Sequence, residues 1–399
     1  MTTPPRPRRP RRSRFLGTAA ALLALTALSG TATAAAADDA PRDTPGTGPS
    51  LLPAPTGPHP IGTTTLHLTD ESRTDIWSPD GGARELMVTV WYPARATAGE
   101  RAAYMTAAES ATVITRTGVD LPAGTFATMA THAFTDAPVR RTPAGSPLVV
   151  LSPGAGFGRM WLTAMAEDLA SNGFIVAGVD HAYEANGVEF PGGRLLDCAA
   201  CGQDRWAEAT VNRAADIGHL LDELGRADGP WRGAREIDAG RIGVAGHSAG
   251  GSAAAEVLRT DDRVDAGLNL DGPYFAPALE EGVDRPLGLV TSDLPSGPPF
   301  HASQERMWPR LTGWRQWLLL AGSGHSSATD QGLLIDRLGV RDQVAPDLLE
   351  NQFGTLPTDR GLDIHRDYAT GFFAHHLKGR EQAVVTDPAA VHPELAVRP

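Results

Sequence analysis

RIGVAGHSAGG, residues 241–251, is a short apolar run that breaks into a G-x-S-x-G. An alanine-rich stretch of helical composition follows at once (SAAAEVL, 252–258), so Ser248 stands between a strand and a helix, as a nucleophile elbow demands. Gly246 and Gly250 let the chain turn sharply there, because side chains at those positions would collide with the flanking strand and helix. Ser248 is therefore the candidate nucleophile of an acyl transfer. The N–H of Ala249, in the first helical turn, aims where an oxyanion would form.

Around this elbow, β-branched runs alternate with amphipathic segments. PLVVLSP (147–153), FIVAGVDHA (174–182), AGLNLDG (266–272), PLGLVTSD (286–293) and WLLLAGSGH (317–325) are near-continuous apolar runs, the pattern of parallel strands covered on both faces. Helices are expected at Arg159–Asn172, Arg205–Gly225, Ala249–Leu258 and Arg366–Leu377, the second with Ile217, Leu220, Leu221 and Leu224 on one stripe. IGTTTLHLTD (61–70) and RELMVTVWYP (84–93) alternate as an antiparallel pair at a sheet edge would. The expected fold is α/β: a mostly parallel central sheet with an antiparallel N-terminal edge and helices on both faces. Ser248, Asp271, Asp293 and His325 all end apolar runs, and so share the rim where such sheets carry their sites.

A serine needs a base and a second oxyanion donor. His325, in AGSGHSSATD, is expected as the base because it ends the last core strand among small neighbours. His181 and His301 are reserves. His247 precedes the serine on a strand, so its ring is expected on the opposite side as a packing residue, and His365, His375 and His376, in or near a terminal helix, are read as solvated histidines or as cations at its C-terminus. The acid is Asp271 or Asp293; either gives the order Ser, Asp, His, and periodicity leaves both open. Ser152–Gly158 (SPGAGFG) allows close backbone approach, and its Ala155 N–H is the candidate second donor. Phe157, Met160, Trp161, Tyr274 and Phe275 flank these loops as candidates for an acyl pocket.

Composition narrows the class. The 399 residues carry a net charge of −12, and residues 1–37 hold six Arg and no acid, which leaves −18 on the remainder; that balance disfavours nucleic acid. Lys378 is the only lysine, which removes a Walker A loop and a serine–lysine dyad. Residues 1–37, with a basic start (RPRRPRRSR), a short apolar segment and A-x-A sites, are expected to be an export signal, with Sec and Tat routes both open. The apolar segment is shorter than the roughly 20 residues of a spanning helix, so no stable membrane anchor is expected. Residues 38–60, rich in Pro, are expected to form an extended linker, 61–380 the catalytic domain, and 381–399 a loosely ordered tail. Cys198 and Cys201 are expected to form a disulfide in a surface loop of an exported protein.

GHSAGG, NLDGPY and GSGHSS, with VWYP, LSPGAGFGR and RGLDIHRDYATGFFAHHLKG, resemble the platelet-activating-factor acetylhydrolases of the plasma and type II kind, from about Thr89 to Lys378. The resemblance implies an α/β-hydrolase fold, Ser248 as nucleophile, Asp271 as acid, His325 as base, and the Ala155 and Ala249 amides as oxyanion donors. It also implies a secreted serine esterase for short-chain carboxylic esters, above all short sn-2 acyl groups of phospholipids, with no cofactor or metal. Its partners would be a small-molecule or lipid ester, with no nucleic acid and at most transient contact with a lipid surface. A cutinase-like polyester hydrolase or general carboxylesterase is the alternative. This chain departs from the family in Ala155, where a bulky residue is usual, and in Ala249, where an aromatic is usual.

Overall fold

The computed structural model describes residues 46–293 and 298–399; the expected export signal and residues 38–45 of the linker lie outside them. Among the described residues thirteen strands form: β1 (Ile61–Thr74), β2 (Ala83–Pro93), β3 (Arg101–Ala103), β4 (Ala130–Thr135), β5 (Ser146–Ser152), β6 (Ile175–His181), β7 (Val188–Phe190), β8 (Arg194–Leu196), β9 (Ile237–His247), β10 (Val264–Leu270), β11 (Leu287–Ser292), β12 (Arg315–Leu320) and β13 (Leu395–Val397). Eleven of them build one sheet in the order β13-β12-β11-β10-β9-β5-β6-β2-β1-β4-β3, while β7 and β8 pair in a separate hairpin. Strands β6, β5, β9, β10, β11 and β12 run parallel, and β2 and β1 continue antiparallel.

Alternation within each strand divides the core, because neighbouring residues leave a strand on opposite faces. Leu148, Val150, Ile242 and Val244 join one apolar cluster, while Val149, Leu151, Ala245 and Leu268 join the other. On the first face lie α3 (Trp206–Gly225), through Ile217, Leu220, Leu221 and Leu224, and α4 (Ala249–Thr260), whose alanines let it press close to the sheet. On the second lie α2 (Thr163–Ser171) and α5 (Thr358–Lys378), the latter through Tyr368, Phe372 and Phe373. The helix α1 (Ala107–Thr117), started by a Thr106–Glu109 capping box, belongs to the excursion between β3 and β4. A parallel core with a strand–turn–helix at β9–α4 and antiparallel strands at its N-terminal side is the α/β-hydrolase architecture.

The N-terminal edge extends beyond the expected β1–β2 pair, because β4 adds parallel to β1 and β3 antiparallel to β4. Two further expectations need correction. The described part of the linker is docked: Thr56 N donates to Asp168, Gly57 N to the Ser171 hydroxyl, and Arg366 reaches the Ala54 carbonyl. Proline forbids a ladder there, but leaves carbonyls and intervening amides free to bond sideways. Residues 381–399 are not loose either. They form two short helices and then β13, which pairs antiparallel with β12 and buries Leu395. No described helix is long and apolar enough to cross a membrane.

Candidate active site

Ser248 follows β9 and caps α4 with φ +53° and ψ −120°, a region that side chains other than glycine occupy only under constraint. The constraint is contact. A Cβ on Gly246 would strike the Gly250 backbone, and one on Gly250 would strike the Ser152 carbonyl. Ser248 N–H is tied to the Leu270 carbonyl at 2.9 Å, which holds the elbow against β10. As the first residue of α4, Ala249 has an N–H with no intrahelical acceptor.

Asp271 lies one residue beyond β10, also at positive φ (54°). Its carboxylate accepts from Ser292 N at 3.0 Å and Ser292 Oγ at 2.8 Å, both on the neighbouring β11. Burial alone would raise this carboxyl. The hydrogen bond and charge of His325, with the two bonds from Ser292, overcome that and hold it below the ordinary carboxylate range. Asp293, the rival, is exposed and accepts from Gly322 N at 3.0 Å.

His325 is five residues past the end of β12, in the loop before Asp330, not at the strand's end as its apolar run suggested. Its amide donates to Asn351 O and that of Ser326 to Gln352 O, so the short helix Pro346–Phe353 fixes the loop. His325 Nε2 lies 3.0 Å from Ser248 Oγ and Nδ1 lies 2.7 Å from Asp271 Oδ2. The structure thus brings together Ser248, Asp271 and His325, and leaves Asp293 apart. Serine, imidazole and buried carboxylate in this sequence can activate an oxygen nucleophile.

The loop carrying Ala155 lies against this group, since a Cβ on Gly154 would sit 3.3 Å from Ser248 Cβ. His247 does not leave on the far side. It is buried beside His325, ring centroids 4.8 Å apart, and its Nε2–H donates to the His325 carbonyl at 2.8 Å. Burial first, and His325 second, push it down to about 3, so it stays neutral and adds no charge next to the His325 ring. His181 is buried elsewhere, and His365 is buried with its Nδ1–H on Gly361 O, not solvated. His375 and His376 are half-buried against Trp314. Of the pocket candidates, Met160, Trp161 and Tyr274 belong to the core, and Phe275 stacks on Trp206. Phe157 is half-buried and stacked on His247. Phe300 was missed: its ring meets His325 edge-on at 5.6 Å. The aromatic in PPFHAS, among prolines, was the available signal. Cys198 and Cys201 form a disulfide. Among the described residues no cluster of three His, Cys, Asp or Glu could hold a metal ion.

Residues 46–188 match the family described as platelet-activating factor acetylhydrolase, isoform II. A probable 1-alkyl-2-acetylglycerophosphocholine esterase of Arthroderma benhamiae is 26% identical over 63% of this chain and 66% of its own length. A platelet-activating factor acetylhydrolase of Canis lupus familiaris is 26% identical over 42% of this chain and 44% of its own. The match therefore spans less than two thirds of either curated relative. A solved ferulic acid esterase from Streptomyces cinnamoneus is similar throughout, with 41% identity, TM-score 0.80, and coverage of 87% of this chain and 99% of that one.

Proposed function

The chain belongs to the platelet-activating factor acetylhydrolase, isoform II, family of carboxylic ester hydrolases, and on that premise we propose that it is a secreted serine esterase cleaving short-chain carboxylic esters, short sn-2 acyl groups of phospholipids first among them. The observation that carries this reading is the unbroken hydrogen-bond chain Ser248 Oγ–His325 Nε2 at 3.0 Å and His325 Nδ1–Asp271 Oδ2 at 2.7 Å. In the proposed reaction His325 takes the Ser248 proton as the oxygen attacks the ester carbonyl. The Ala155 and Ala249 N–H groups receive the developing oxyanion. His325 then gives the proton to the leaving alcohol, and water, activated by the same ring, releases the acid from the acyl-enzyme. Asp271, kept ionised by the hydrogen bond and charge of His325 and by the two bonds from Ser292, fixes the imidazole tautomer and stabilises the imidazolium. No cofactor is required by these steps. The Cys198–Cys201 disulfide and the basic-then-apolar start of the chain support export.

A general carboxylesterase is the second reading. It is favoured by the ferulic acid esterase, whose 41% identity over 99% of its length exceeds that of the curated relatives. A fluorophosphonate probe is expected to label the protein once, at Ser248, and not to label Ser248→Ala. Absence of labelling on folded wild type would remove the esterase reading. Turnover of a short-chain phospholipid beside a feruloyl ester and a polyester film separates the substrate classes; hydrolysis of the aromatic ester or the film without the phospholipid selects the second reading.

A further inference from the structure

Beneath the Ser152–Gly158 loop lies a second row of serine, histidine and carboxylate, which the proposed reaction does not use. Ser152 Oγ is 2.9 Å from His181 Nε2, and His181 Nδ1 is 2.8 Å from Asp216 Oδ2. The three come from the end of β5, the end of β6 and the middle of α3. Ser152 and Asp216 are 0% exposed and His181 is 1% exposed. No substrate can reach them, so this is not a second esterase centre.

The charges assign the protons. Burial works against ionised Asp216, but Arg84 and His181 outweigh it and hold the carboxylate well below its ordinary range. Burial, then Arg213, lowers His181 and keeps it neutral. Nδ1–H therefore donates to Asp216, and Nε2 accepts from the Ser152 hydroxyl. Asp216 also takes Arg84 Nη2 and Arg73 Nη2, each at 2.7 Å. Arg84 Nη2 reaches Glu184 at 3.0 Å, and Glu184 Oε2 accepts from Arg213 Nε at 2.6 Å.

Arg213 returns the network to the loop, since its Nη1 donates to the Pro153 carbonyl at 2.6 Å. On the other side of Ala155, Gly156 N donates to the Glu184 carbonyl at 2.8 Å, and the Gly156 carbonyl accepts from Asn186 N and Nδ2 at 3.2 and 3.1 Å. The chain is thus pinned at Ser152, Pro153 and Gly156, with Ala155 between. A buried ionic network is weak evidence for stability. What it supplies here is direction: apolar contact would leave a loop with Gly154, Gly156 and Gly158 free to rotate its peptide planes, whereas these bonds orient the planes that flank the Ala155 N–H.

We propose that the buried Ser152–His181–Asp216 row and the Arg213–Pro153 bond are a positioning device for the oxyanion loop, holding the Ala155 N–H where the tetrahedral oxygen forms. Ser152 and Arg213 are then positioning residues of the esterase reaction, an inference that rests on Ser248 being its nucleophile. An oxyanion donor acts only within a few tenths of an ångström of its place, and a misplacement of about 1 Å costs about a hundredfold in rate.

The test compares Ser152→Ala, Arg213→Met and Arg213→Lys with wild type on an aryl ester, per active site titrated with fluorophosphonate. It also measures inhibition by an aryl boronic acid, which mimics the tetrahedral adduct on Ser248. Ser152→Ala is expected to lower kcat about tenfold and Arg213→Met about a hundredfold, with KM within about threefold. Boronate affinity should fall in step with kcat/KM. Arg213→Lys, which keeps a donor for Pro153, should recover about tenfold of the Arg213→Met loss. A role confined to folding would lower the thermal midpoint and the titratable fraction but leave kcat per site and boronate affinity unchanged, and that result overturns the proposal. So does a change in KM alone. If Arg213→Met does not fold, Ser152→Ala decides by the same two readouts. An inactive, unlabelled wild type overturns the esterase reading itself; an active wild type with unchanged variants overturns only this inference.

Discussion

Asp271 and Asp293 hold equivalent places in the sequence, each one residue past the end of adjacent parallel strands. What separates them is depth. Asp271 is 5% exposed, takes two donors from Ser292 and meets His325 Nδ1 at 2.7 Å; Asp293 is exposed and bonds a loop amide. Asp271→Asn is therefore expected to lower kcat by about 10⁴-fold by presenting an amide to His325 Nδ1 and favouring the wrong tautomer. Asp293→Asn, screened by water, is expected to change kcat/KM by less than about threefold. Steady-state kinetics on one aryl ester reads both, and a larger loss in the Asp293 variant would transfer the acid's role to that residue. The distinction was not legible in the sequence, because a one-residue overhang looks the same whether the next strand's hydroxyl or bulk water lies beyond it. Of the reading of His247, burial as a packing residue holds, while its ring lies beside His325 and not away from it. Alternation along β9 names the face a side chain leaves by and not the loop that folds over that face.

At the scale of elements, the continuous apolar runs of β5, β6, β9, β10, β11 and β12 were legible because burial on both faces leaves no room for polar alternation. The short outer strands were not. β13 has three residues and β4 is ATHAFT, and neither carries enough period to stand out from a loop. Yet β13 closes the edge beside β12, from whose end the His325 loop departs. Ala321 N–H donates to Glu394 O at 2.8 Å, Leu318, Leu319 and Leu320 pair with Val397, Ala396 and Leu395, and the Arg398 guanidinium sits 4.5 Å over the Trp317 ring. Deleting residues 394–399 uncovers that edge and the buried Leu395 site. Loss of one buried leucine with its ladder bonds corresponds to about 2–3 kcal/mol and a midpoint lower by about 3–6 °C. Calorimetry should show this drop together with a smaller titratable fraction, while KM of the remaining sites stays as in wild type. An unchanged midpoint would mean that β13 contributes nothing to the sheet.

Across the whole molecule, two buried carboxyls tie the His325 loop, α2 and the β3–β4 excursion together. Asp330 accepts from Tyr104 OH at 3.0 Å and Ala164 N at 3.3 Å, and its own N–H donates to the Trp161 carbonyl. Glu167, on α2, accepts from His132 N and Ala133 N of β4 at 2.7 Å each. Burial pushes Asp330 up to about 8 against the opposing bonds of Tyr104 and Ala164, and Glu167 up to about 7 against those of Ala133 and His132. In the unfolded chain both release their protons near pH 4. Between about pH 4 and their folded values, the folded protein retains protons that the unfolded chain has lost. Each group's contribution is thus fully present below pH 4 and is lost as pH rises, by up to about 1.4 kcal/mol per pH unit. Other buried groups, His247 among them, act in the opposite sense at low pH, so the difference between variant and wild type is the informative quantity. Asp330→Asn cannot ionise, and its carbonyl can still accept from Ala164 N–H. Urea midpoints taken from pH 5 to pH 8 should show the variant gaining steadily on wild type as pH rises. A difference that stays flat over that range would mean that Asp330 is already ionised in the fold, and that the loop carrying His325 is anchored by a charge and not by a protonated acid.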